Sequence, residues 1–265
     1  MMEQHNPTTT YYDQSGCDAR FEWGVEGIRR LAPLSDVVVI VDVLSFSTCV
    51  DVAVARGATV FPYRWRDESA ETFAQEKGAA LAVSRGQTTA ERPYSLSPVS
   101  LEALPPETRL VLPSPNGSTL AFLAADCGAV IAGCVRNARA VAATARALGQ
   151  TVTVIAAGER WDGSDEPLRP AIEDMVGAGA ILAALRPTAP SPEAIAAIAV
   201  YAAAAAALLP FIAACSSGRE LAALGYAGDV EIAAHLDASE TVPLLRDGAF
   251  ISSPLPLSIA PNFVE

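Results

Sequence analysis

The sequence of 265 residues is poor in basic residues and histidine, and its cysteines are scattered. It has 30 Asp and Glu against 18 Lys and Arg, so its formal net charge is −12. This charge argues against a nucleic-acid backbone or an anionic membrane as the main partner. Two histidines leave little for a histidine-based metal site or a triad. Five cysteines without a Cys-x-x-Cys motif indicate neither a disulfide framework nor a zinc site.

A long apolar run, AIAAIAVYAAAAAALLPFIAA (194–214), has the length of a bilayer-spanning helix. Alanine contributes little transfer free energy, however, Pro210 interrupts the run, and Glu193 and Arg219 flank it. We favour a buried or packed alanine-rich helix, which could lie in the core or at the seam of a homodimer. The N-terminal residues lack a positive region followed by an apolar core, so no signal peptide is predicted. We therefore expect a cytoplasmic protein without a membrane partner.

Strand and helix patterns alternate along most of the chain. Apolar runs predict strands at 37–43, 58–63, 109–113, 129–133 and 152–158. Helical patterns lie between them, at 47–56, 67–78, 138–148 and 171–185, and another helix opens at NGST (116–119). Residues 84–108, rich in Ser, Pro and Thr, predict a long irregular loop. This β-α repetition is typical of an α/β fold with a mostly parallel or mixed sheet covered by helices.

The pattern divides the chain into three parts. Residues 1–20 form a polar arm, residues 21–186 an α/β catalytic core, and residues 187–265 a helical C-terminal portion packed on the core as one unit. Within that last portion, SGRE (217–220) predicts a capping box with Ser217 as the cap. TVPLLRDGAFI predicts a closing strand with a turn at Asp247-Gly248.

Carboxylates cluster at the ends of the predicted strands. Asp42 ends the buried run VVVIVDVLSFST and precedes the hydroxyls of Ser45, Ser47 and Thr48. The carboxylates at such strand ends, or in the loops after them, are Asp42, Glu159, Asp162, Glu173 and Asp174. Ligands bind at the carboxyl ends of strands in open α/β sheets, and oxygen-only ligands suit Mg²⁺. Helix capping and the helix dipole are the alternative explanations for these acids.

Two further turns could bind an anion. SPNGST (114–119) follows a strand and opens a helix, so backbone N–H groups near Asn116 and Gly117 are exposed. It is not a P-loop, because the lysine and the glycine spacing are missing. Asn137 repeats the arrangement before the helix 138–148. From spacing alone, an ordinary strand-to-helix turn is the favoured explanation of the first site, and a plain N-cap explains the second.

Ordered blocks from about residue 37 to 253 resemble the 2-phosphosulfolactate phosphatase family, known as ComB. The blocks are VDVLSFST, LPSPNGST, GCVRNA, AAG with EDMVGAGAI, and SGRELAALGYAGDVEIAAHLDASETVPLLRDG. The resemblance implies a three-layer α/β/α fold and Mg²⁺-dependent hydrolysis of a phosphate monoester on the route to coenzyme M. Mapped onto this chain, it implies Asp42, Glu173 and Asp174 as catalytic residues and metal ligands. The substrate-binding candidates are Ser47, Thr48, Arg85, Ser114, Asn116, Gly117, Asn137, Glu159 and Arg160.

The sequence also departs from the family pattern. Ser45 stands where the family usually has arginine, and the middle loop is reduced to SRGQ (84–87) and SLSP (95–98), with Ser84 in place of an acid. Losing an arginine removes a bidentate contact to an anion, which Arg85, Arg136 or Arg160 could offset. The predicted substrate is therefore 2-phosphosulfolactate or a related phospho-2-hydroxy acid. A non-catalytic relative that binds an anion or a protein partner is the alternative. The attacking group is either water or the carboxylate of Asp42.

Overall fold

The computed structural model describes residues 11–65, 67–161 and 167–253. The described strands are β1 (Ala19–Trp23), β2 (Val37–Val41), β3 (Thr59–Tyr63), β4 (Ala80–Leu81), β5 (Arg109–Pro113), β6 (Ala129–Gly133), β7 (Val152–Ala156), β8 (Glu159–Arg160), β9 (Leu168–Arg169), β10 (Pro243–Arg246) and β11 (Ala249–Ser252). Nine of them form one sheet in the order β1-β7-β2-β6-β10-β11-β3-β5-β4, and β8 pairs with β9 separately. The predicted mixed sheet is confirmed.

Helices cover both faces of this sheet. The described α-helices are α1 (Gly24–Leu31), α2 (Phe46–Ala55), α3 (Glu68–Lys77), α4 (Pro98–Leu101), α5 (Gly117–Ala124), α6 (Ala138–Leu148), α7 (Ile172–Leu185), α8 (Pro192–Ala204), α9 (Leu208–Ala214), α10 (Ser216–Ala223) and α11 (Ala227–Ala233). The predicted helices 47–56, 67–78, 138–148 and 171–185 correspond to α2, α3, α6 and α7. The predicted three-layer α/β/α architecture is confirmed.

The central strand β2 shows why the layers form. Its side chains alternate between the two faces of the sheet, and helices cover both faces. All five of its residues are therefore buried. Val39 and Val41 pack into one core with residues of α6 and α7. Val38 and Ile40 pack into the other core with residues of α2 and α5. A run of β-branched residues therefore serves both faces at once.

The register of the parallel strands brings their carboxyl ends to one edge. Val41 of β2 pairs with Gly133 of β6 and with Ala156 of β7. Just beyond this edge, the N–H of Ala157 donates to the carbonyl of Val41 at 2.8 Å. Asp42 and the segment that begins at Ala157 are therefore neighbours, as the sequence predicts for residues that follow adjacent strands.

The C-terminal hairpin completes the sheet. Strand β10 pairs antiparallel with β6 through Leu244 and Ile131, and β11 pairs antiparallel with β3 through Phe250 and Val60. The turn lies at Asp247-Gly248, as predicted, with φ values of +49° and +78°. The prediction of a single closing strand is wrong, because both sides of this turn are strands. The hairpin joins two groups of parallel strands that would otherwise be separate.

Two glycines let the layers approach closely at α7. A Cβ on Gly177 would lie 2.7 Å from Val43, and a Cβ on Gly179 would lie 2.1 Å from the carbonyl oxygen of Ala197 in α8. Small residues at these positions therefore bring α7 against the β2 side and α8 against α7.

The apolar run predicted as a packed helix is divided. It consists of α8, a 3₁₀ turn at Ala205–Ala207, and α9. The 23 residues Pro192–Ala214 are long and apolar enough to cross a membrane, and their most apolar 18-residue window has a mean hydropathy of 2.3 and is 22% buried. Such a helix is weak evidence for a membrane span, and α8 packs on α7 through Ala197. The helix is packed on one side rather than buried throughout.

Strand β1 begins at Ala19, inside the segment 1–20 that the sequence predicts as a polar arm. It pairs parallel with β7 at the end of the sheet, from Ala19 and Val152 to Trp23 and Ala156. The alternation of apolar and charged residues in ARFEW is too short a signal to distinguish a strand from an arm. The division into arm, core and C-terminal portion stays a prediction.

Candidate active site

A cavity of about 1080 Å³ opens at the carboxyl ends of the central strands. Six predicted site residues line it, namely Asp42, Arg85, Ser114, Asn116, Glu159 and Arg160. Residues that the sequence did not single out as site residues also line it, among them Ser45, Trp161, Arg169, Ser217, Glu220 and Tyr226. The cavity is therefore built from strand ends of the core together with α10 and its neighbourhood.

Asp42 lies between the first residues of two helices. Its Oδ1 accepts from the N–H of Phe46 in α2 at 3.0 Å, and its Oδ2 accepts from the N–H of Gly117 in α5 at 3.1 Å. The side chain of Phe46 is so close to Gly117 that a Cβ there would lie 2.2 Å from its ring. Only glycine therefore allows this approach, and the positive ends of both helices face one carboxylate. The sequence predicts that the N–H of Gly117 binds phosphate, but in the structure this N–H donates to Asp42.

The predicted hydroxyls of Ser47 and Thr48 brace the turn after β2. The Ser47 Oγ accepts from the N–H of Asp42 at 2.6 Å and donates to its carbonyl at 2.9 Å. The Thr48 Oγ1 donates to the carbonyl of Val43 at 2.7 Å. Both side chains are fully buried, and neither is among the residues that line the cavity. In this structure they fix the position of Asp42.

Glu159, at the start of β8, is a carboxyl with an unusual proton affinity. Burial, which is the largest cause, and the nearby charges of Asp42 and Glu173 together raise its pKa to about 7, although the hydrogen bond from Asn116 opposes them. The Asn116 Nδ2 donates to its Oε2 at 3.0 Å. A cavity-lining carboxyl of this kind can hold or release a proton near neutral pH.

Glu173 and Asp174, the predicted acidic pair, are both buried at the start of α7. The Oδ1 of Asp174 accepts from the N–H of Val43 at 2.7 Å, and its Oδ2 accepts from the N–H of Gly158 at 2.9 Å. Burial raises the pKa of Asp174 well above its usual range, and the charges of Asp42 and Glu173 add to the effect. Asp174 therefore ties the ends of β2 and β7 together behind the cavity.

Glu173 differs from its neighbour because one of its oxygens is unused. Its side chain is 1% exposed, and its Oε2 has no hydrogen-bond partner among the described residues. Burial raises the pKa of the Cys215 thiol to about 12, with the charge of Glu173 as the second cause. A buried carboxylate oxygen without a donor is expected to gain from a cation.

The carboxylates therefore fit a divalent cation only in part. Within the described ranges, no group of three His, Cys, Asp or Glu side chains is arranged to hold a metal ion. The unpartnered Glu173 oxygen and the mutual repulsion among Asp42, Glu173 and Asp174 nevertheless favour a positive charge nearby. Mg²⁺ needs few protein ligands, because it keeps waters and binds substrate phosphate. Asp162 lies outside the described residues.

Arg85 is held over the cavity by the C-terminal portion. Its Nε donates to the Oδ2 of Asp229 at 3.0 Å, and its Nη2 donates to the Ser45 Oγ at 2.5 Å. Its guanidinium also lies 5.4 Å from the ring centroid of Tyr226. Arg136, by contrast, is not among the residues that line the cavity, and its Nε donates to the Oδ2 of Asp51 at 2.9 Å.

The cavity is also lined by Arg160 and Arg169, which lie on the ribbon of β8 and β9. The Nη2 of Arg169 donates to the Ser217 Oγ at 3.2 Å. The predicted capping box at Ser217 is wrong, because the Cys215 sulfur occupies the cap position of α10 and accepts from the N–H of Gly218. A cysteine is not among the usual caps, so the sequence pattern selected the serine instead.

Two remaining candidates have backbone partners. The N–H of Ser114 donates to the carbonyl of Tyr63 at 2.9 Å, which places its hydroxyl at the cavity wall. Asn137 is fully buried, and its Nδ2 donates to the carbonyl of Thr241 at 3.2 Å. Its Oδ1 accepts from the N–H of Cys134 at 2.9 Å, so it does not cap α6 through its side chain. Asn137 ties the C-terminal portion to β6.

Tyr226 and Asp229 were not predicted as site residues from the sequence. Both lie in the block GYAGDV, so the family resemblance is the only sequence feature that indicates them. Arg169 lies in a polar loop without a pattern that distinguishes it from a solvated residue.

A family model described as 2-phosphosulpholactate phosphatase matches residues 26–248, which is most of the chain and contains the cavity. The chain belongs to the 2-phosphosulfolactate phosphatase family. The 2-phosphosulfolactate phosphatase of Methanothermobacter thermautotrophicus is similar to it, with 30% identity over 215 residues that cover 81% of this chain and 88% of the relative. Membership of the 2-phosphosulfolactate phosphatase family makes the chain a phosphatase, a hydrolase of phosphoric monoesters. The resemblance stated from the sequence is confirmed.

Proposed function

We propose that the protein hydrolyses a small acidic phosphate monoester, 2-phosphosulfolactate or a related phospho-2-hydroxy acid, and that it needs Mg²⁺. The observation that carries the proposal is the cavity in which Asp42, Glu159 and three arginines meet. The arginines are Arg85, Arg160 and Arg169, and they offset substrate charge in a protein whose net charge is −12. An acidic protein needs such local cations to bind an anion.

The phosphate is placed against the wall formed by Asp42, Ser114 and Asn116. These side chains lie where β2 and β5 end and where α2 and α5 begin. The positive ends of both helices face Asp42 and so reduce its repulsion of a phosphate bound beside it. Phosphoryl transfer depends mainly on positioning and on stabilising charge. The tight packing of Phe46 on Gly117 fixes both helix starts and keeps this wall rigid.

We propose that Asp42, with Glu173 or Asp174 as a second ligand, would hold Mg²⁺, which keeps several waters and so needs few protein ligands. Asp42 lines the cavity, Glu173 has the unpartnered oxygen, and each oxygen of Asp174 uses one lone pair on a backbone N–H. Bound there, Mg²⁺ would polarise the phosphate and neutralise its developing charge.

Glu159 is the proton donor that we propose for the leaving group. In its protonated form it would give its proton to the ester oxygen as the P–O bond breaks, and the alcohol would leave neutral. Its pKa of about 7 leaves a large protonated fraction at neutral pH, and Asn116 orients the carboxyl. The phosphorus accepts either water or the carboxylate of Asp42, and in the second case water then cleaves the acyl phosphate.

The proposal is tested by phosphate release from 2-phosphosulfolactate and from a generic aryl phosphate, each with Mg²⁺ and with EDTA. We expect Mg²⁺-dependent release, with 2-phosphosulfolactate or another phospho-2-hydroxy acid preferred over the aryl ester. Release that EDTA leaves unchanged would contradict the metal requirement. Folded protein that releases no phosphate from either compound would shift the assignment to anion binding without turnover.

A further inference from the structure

Arg85 is a firmly oriented cation on the cavity wall. It comes from a 3₁₀ turn, Arg85–Gln87, in the long loop, where an unsupported arginine would sample many rotamers. Instead, one edge of the guanidinium is fixed by Asp229 and Ser45, and one face lies over Tyr226. The guanidinium is therefore held at a single orientation by three side chains from two segments, Ser45 before α2 and the pair Tyr226 and Asp229 at the start of α11.

Asp229 is anchored as firmly as the arginine that it holds. Its side chain is 1% exposed on α11, and its Oδ1 accepts from the hydroxyl of Ser97. It is not among the residues that line the cavity, so it acts there only through Arg85. A buried carboxylate with fixed donors makes a rigid support for an arginine.

The guanidinium keeps one donor group for a ligand. Among the described residues, the Nη1 of Arg85 has no hydrogen-bond acceptor, whereas its Nε and Nη2 are used. The residue lines the cavity with its side chain 20% exposed. Arg169 donates to a neutral hydroxyl, that of Ser217, whereas the orientation of Arg85 comes from an ion pair with a buried carboxylate.

We propose that Arg85, oriented by Asp229, binds the second anionic group of the substrate, its sulfonate or carboxylate, and so selects phosphoesters that carry one. The assignment rests on the proposed function, in which the phosphate lies against Asp42 and Asn116. Arg85 is a specificity-determining residue, and Asp229 is its positioning residue. Ser45 supports the guanidinium at the start of α2, three residues after Asp42.

The test measures binding and turnover separately. Isothermal titration calorimetry compares sulfolactate, which carries the second anionic group but no phosphate, with inorganic phosphate. A charge-assisted hydrogen bond to an arginine corresponds to a change of about 10- to 100-fold in affinity. We expect Arg85→Met to weaken sulfolactate binding by that factor and to change phosphate binding far less. Asp229→Asn should weaken sulfolactate binding as well, by about 10-fold.

Steady-state kinetics give the second readout. In both variants, KM for 2-phosphosulfolactate should rise much more than kcat falls, and the preference over an aryl phosphate should shrink in the same proportion. Arg85→Lys should recover part of the preference in a background with intact Asp229, because it restores the charge without the fork geometry. Thermal unfolding verifies that each variant is folded. If Asp229→Asn does not fold, the test rests on the Arg85 variants, because the Arg85 side chain is partly exposed and its substitution disturbs the core less.

The matched control is Arg92, which lies in the same loop as Arg85 and forms an ion pair with Glu71 of α3 at 2.9 Å. Neither residue lines this cavity, so Arg92→Met should leave sulfolactate affinity unchanged. Equal losses for both ligands, or none in the Arg85 variants, would overturn the inference. Wild-type protein that binds sulfolactate through Arg85 but releases no phosphate would overturn the proposed function alone.

Discussion

Asp42 accepts N–H groups from the starts of two helices while it faces the cavity, so its charge is both fixed and available to a substrate. The hydroxyls of Ser47 and Thr48 donate to backbone carbonyls, so the carboxylate of Asp42 is the reactive group of this turn. The same sequence, DVLSFST, thus supplies a functional side chain and the hydrogen bonds that hold it.

Asp42→Asn should lower turnover at least about 100-fold, because it removes the negative charge that would bind the cation or attack phosphorus. Phosphate release with Mg²⁺ measures the effect. Asp36→Asn is the matched control at the other end of the same strand, where Asp36 accepts from the N–H groups of Gln150 and Thr151 at 2.8 Å. That variant should lose stability but retain turnover, and near-normal turnover of Asp42→Asn would contradict the assignment.

Glu159 predicts a pH dependence of stability in metal-free protein. The folded state raises its pKa from 4.5 to about 7, so its contribution is fully present below the ordinary pKa and is lost as pH rises through about 7. In EDTA, the Tm of the wild type should therefore fall between about pH 5 and pH 8. Glu159→Gln should make that fall smaller, and identical slopes in the two proteins would contradict the assigned cause.

At the scale of residues, the sequence predicted those site members that follow strands. Asp42 lies near the end of a predicted strand, and Ser114, Asn116 and Glu159 lie in the turns that follow predicted strands. The structure places all four in the cavity wall. Ser47 and Asn137 could not be separated from them, because a hydroxyl or amide near a strand end serves substrate and backbone equally well. Asp229 is 144 residues from Arg85, and no local pattern reports such a pair.

Among the elements, the contact of α7 with α8 depends on Gly179. The carbonyl oxygen of Ala197 in α8 occupies the space that a Cβ at this position would need. Gly179→Ala should lower the free energy of unfolding by about 1–3 kcal/mol, because a carbonyl cannot rotate away as a side chain can. Urea denaturation measures the change.

Gly228→Ala in α11 is the control, because the added Cβ would meet only a methyl group of Val99, at 3.2 Å. It should cost less than Gly179→Ala. Equal effects of the two substitutions would show that α8 moves to accommodate the methyl group.

Elements with strong periodicity were predicted closely, and short ones were not. The strands β5 and β6 and the helix α6 have the predicted bounds, because apolar runs and caps mark both ends. The hairpin of β10 and β11 was read as one strand, since each arm has only four residues. Their places between β6 and β3 come from long-range pairing, which a local pattern does not encode.

At the scale of the whole molecule, Phe250 packs on Phe46 with ring centroids 6.1 Å apart and is fully buried. Phe250→Ala should lower the free energy of unfolding by about 3–5 kcal/mol. Because the hairpin pairs with both strand groups, unfolding should remain a single transition in calorimetry.

Leu224→Ala, at a position that is 63% exposed, is the control and should change stability little. Two separate transitions in the Phe250→Ala variant would contradict a molecule that unfolds as one unit.

The position of that hairpin also sets the order in which the protein can be made. The strands at the middle of the sheet come from residues 243–252, so the groups on either side are synthesised first and wait with open edges. While the chain leaves the ribosome, the two strand groups can therefore form but cannot yet be joined into one sheet. The last step of folding is the insertion of the β10–β11 hairpin between β6 and β3. Until then, the exposed edges of β6 and β3 are sites where chaperones would bind and where nascent chains would aggregate.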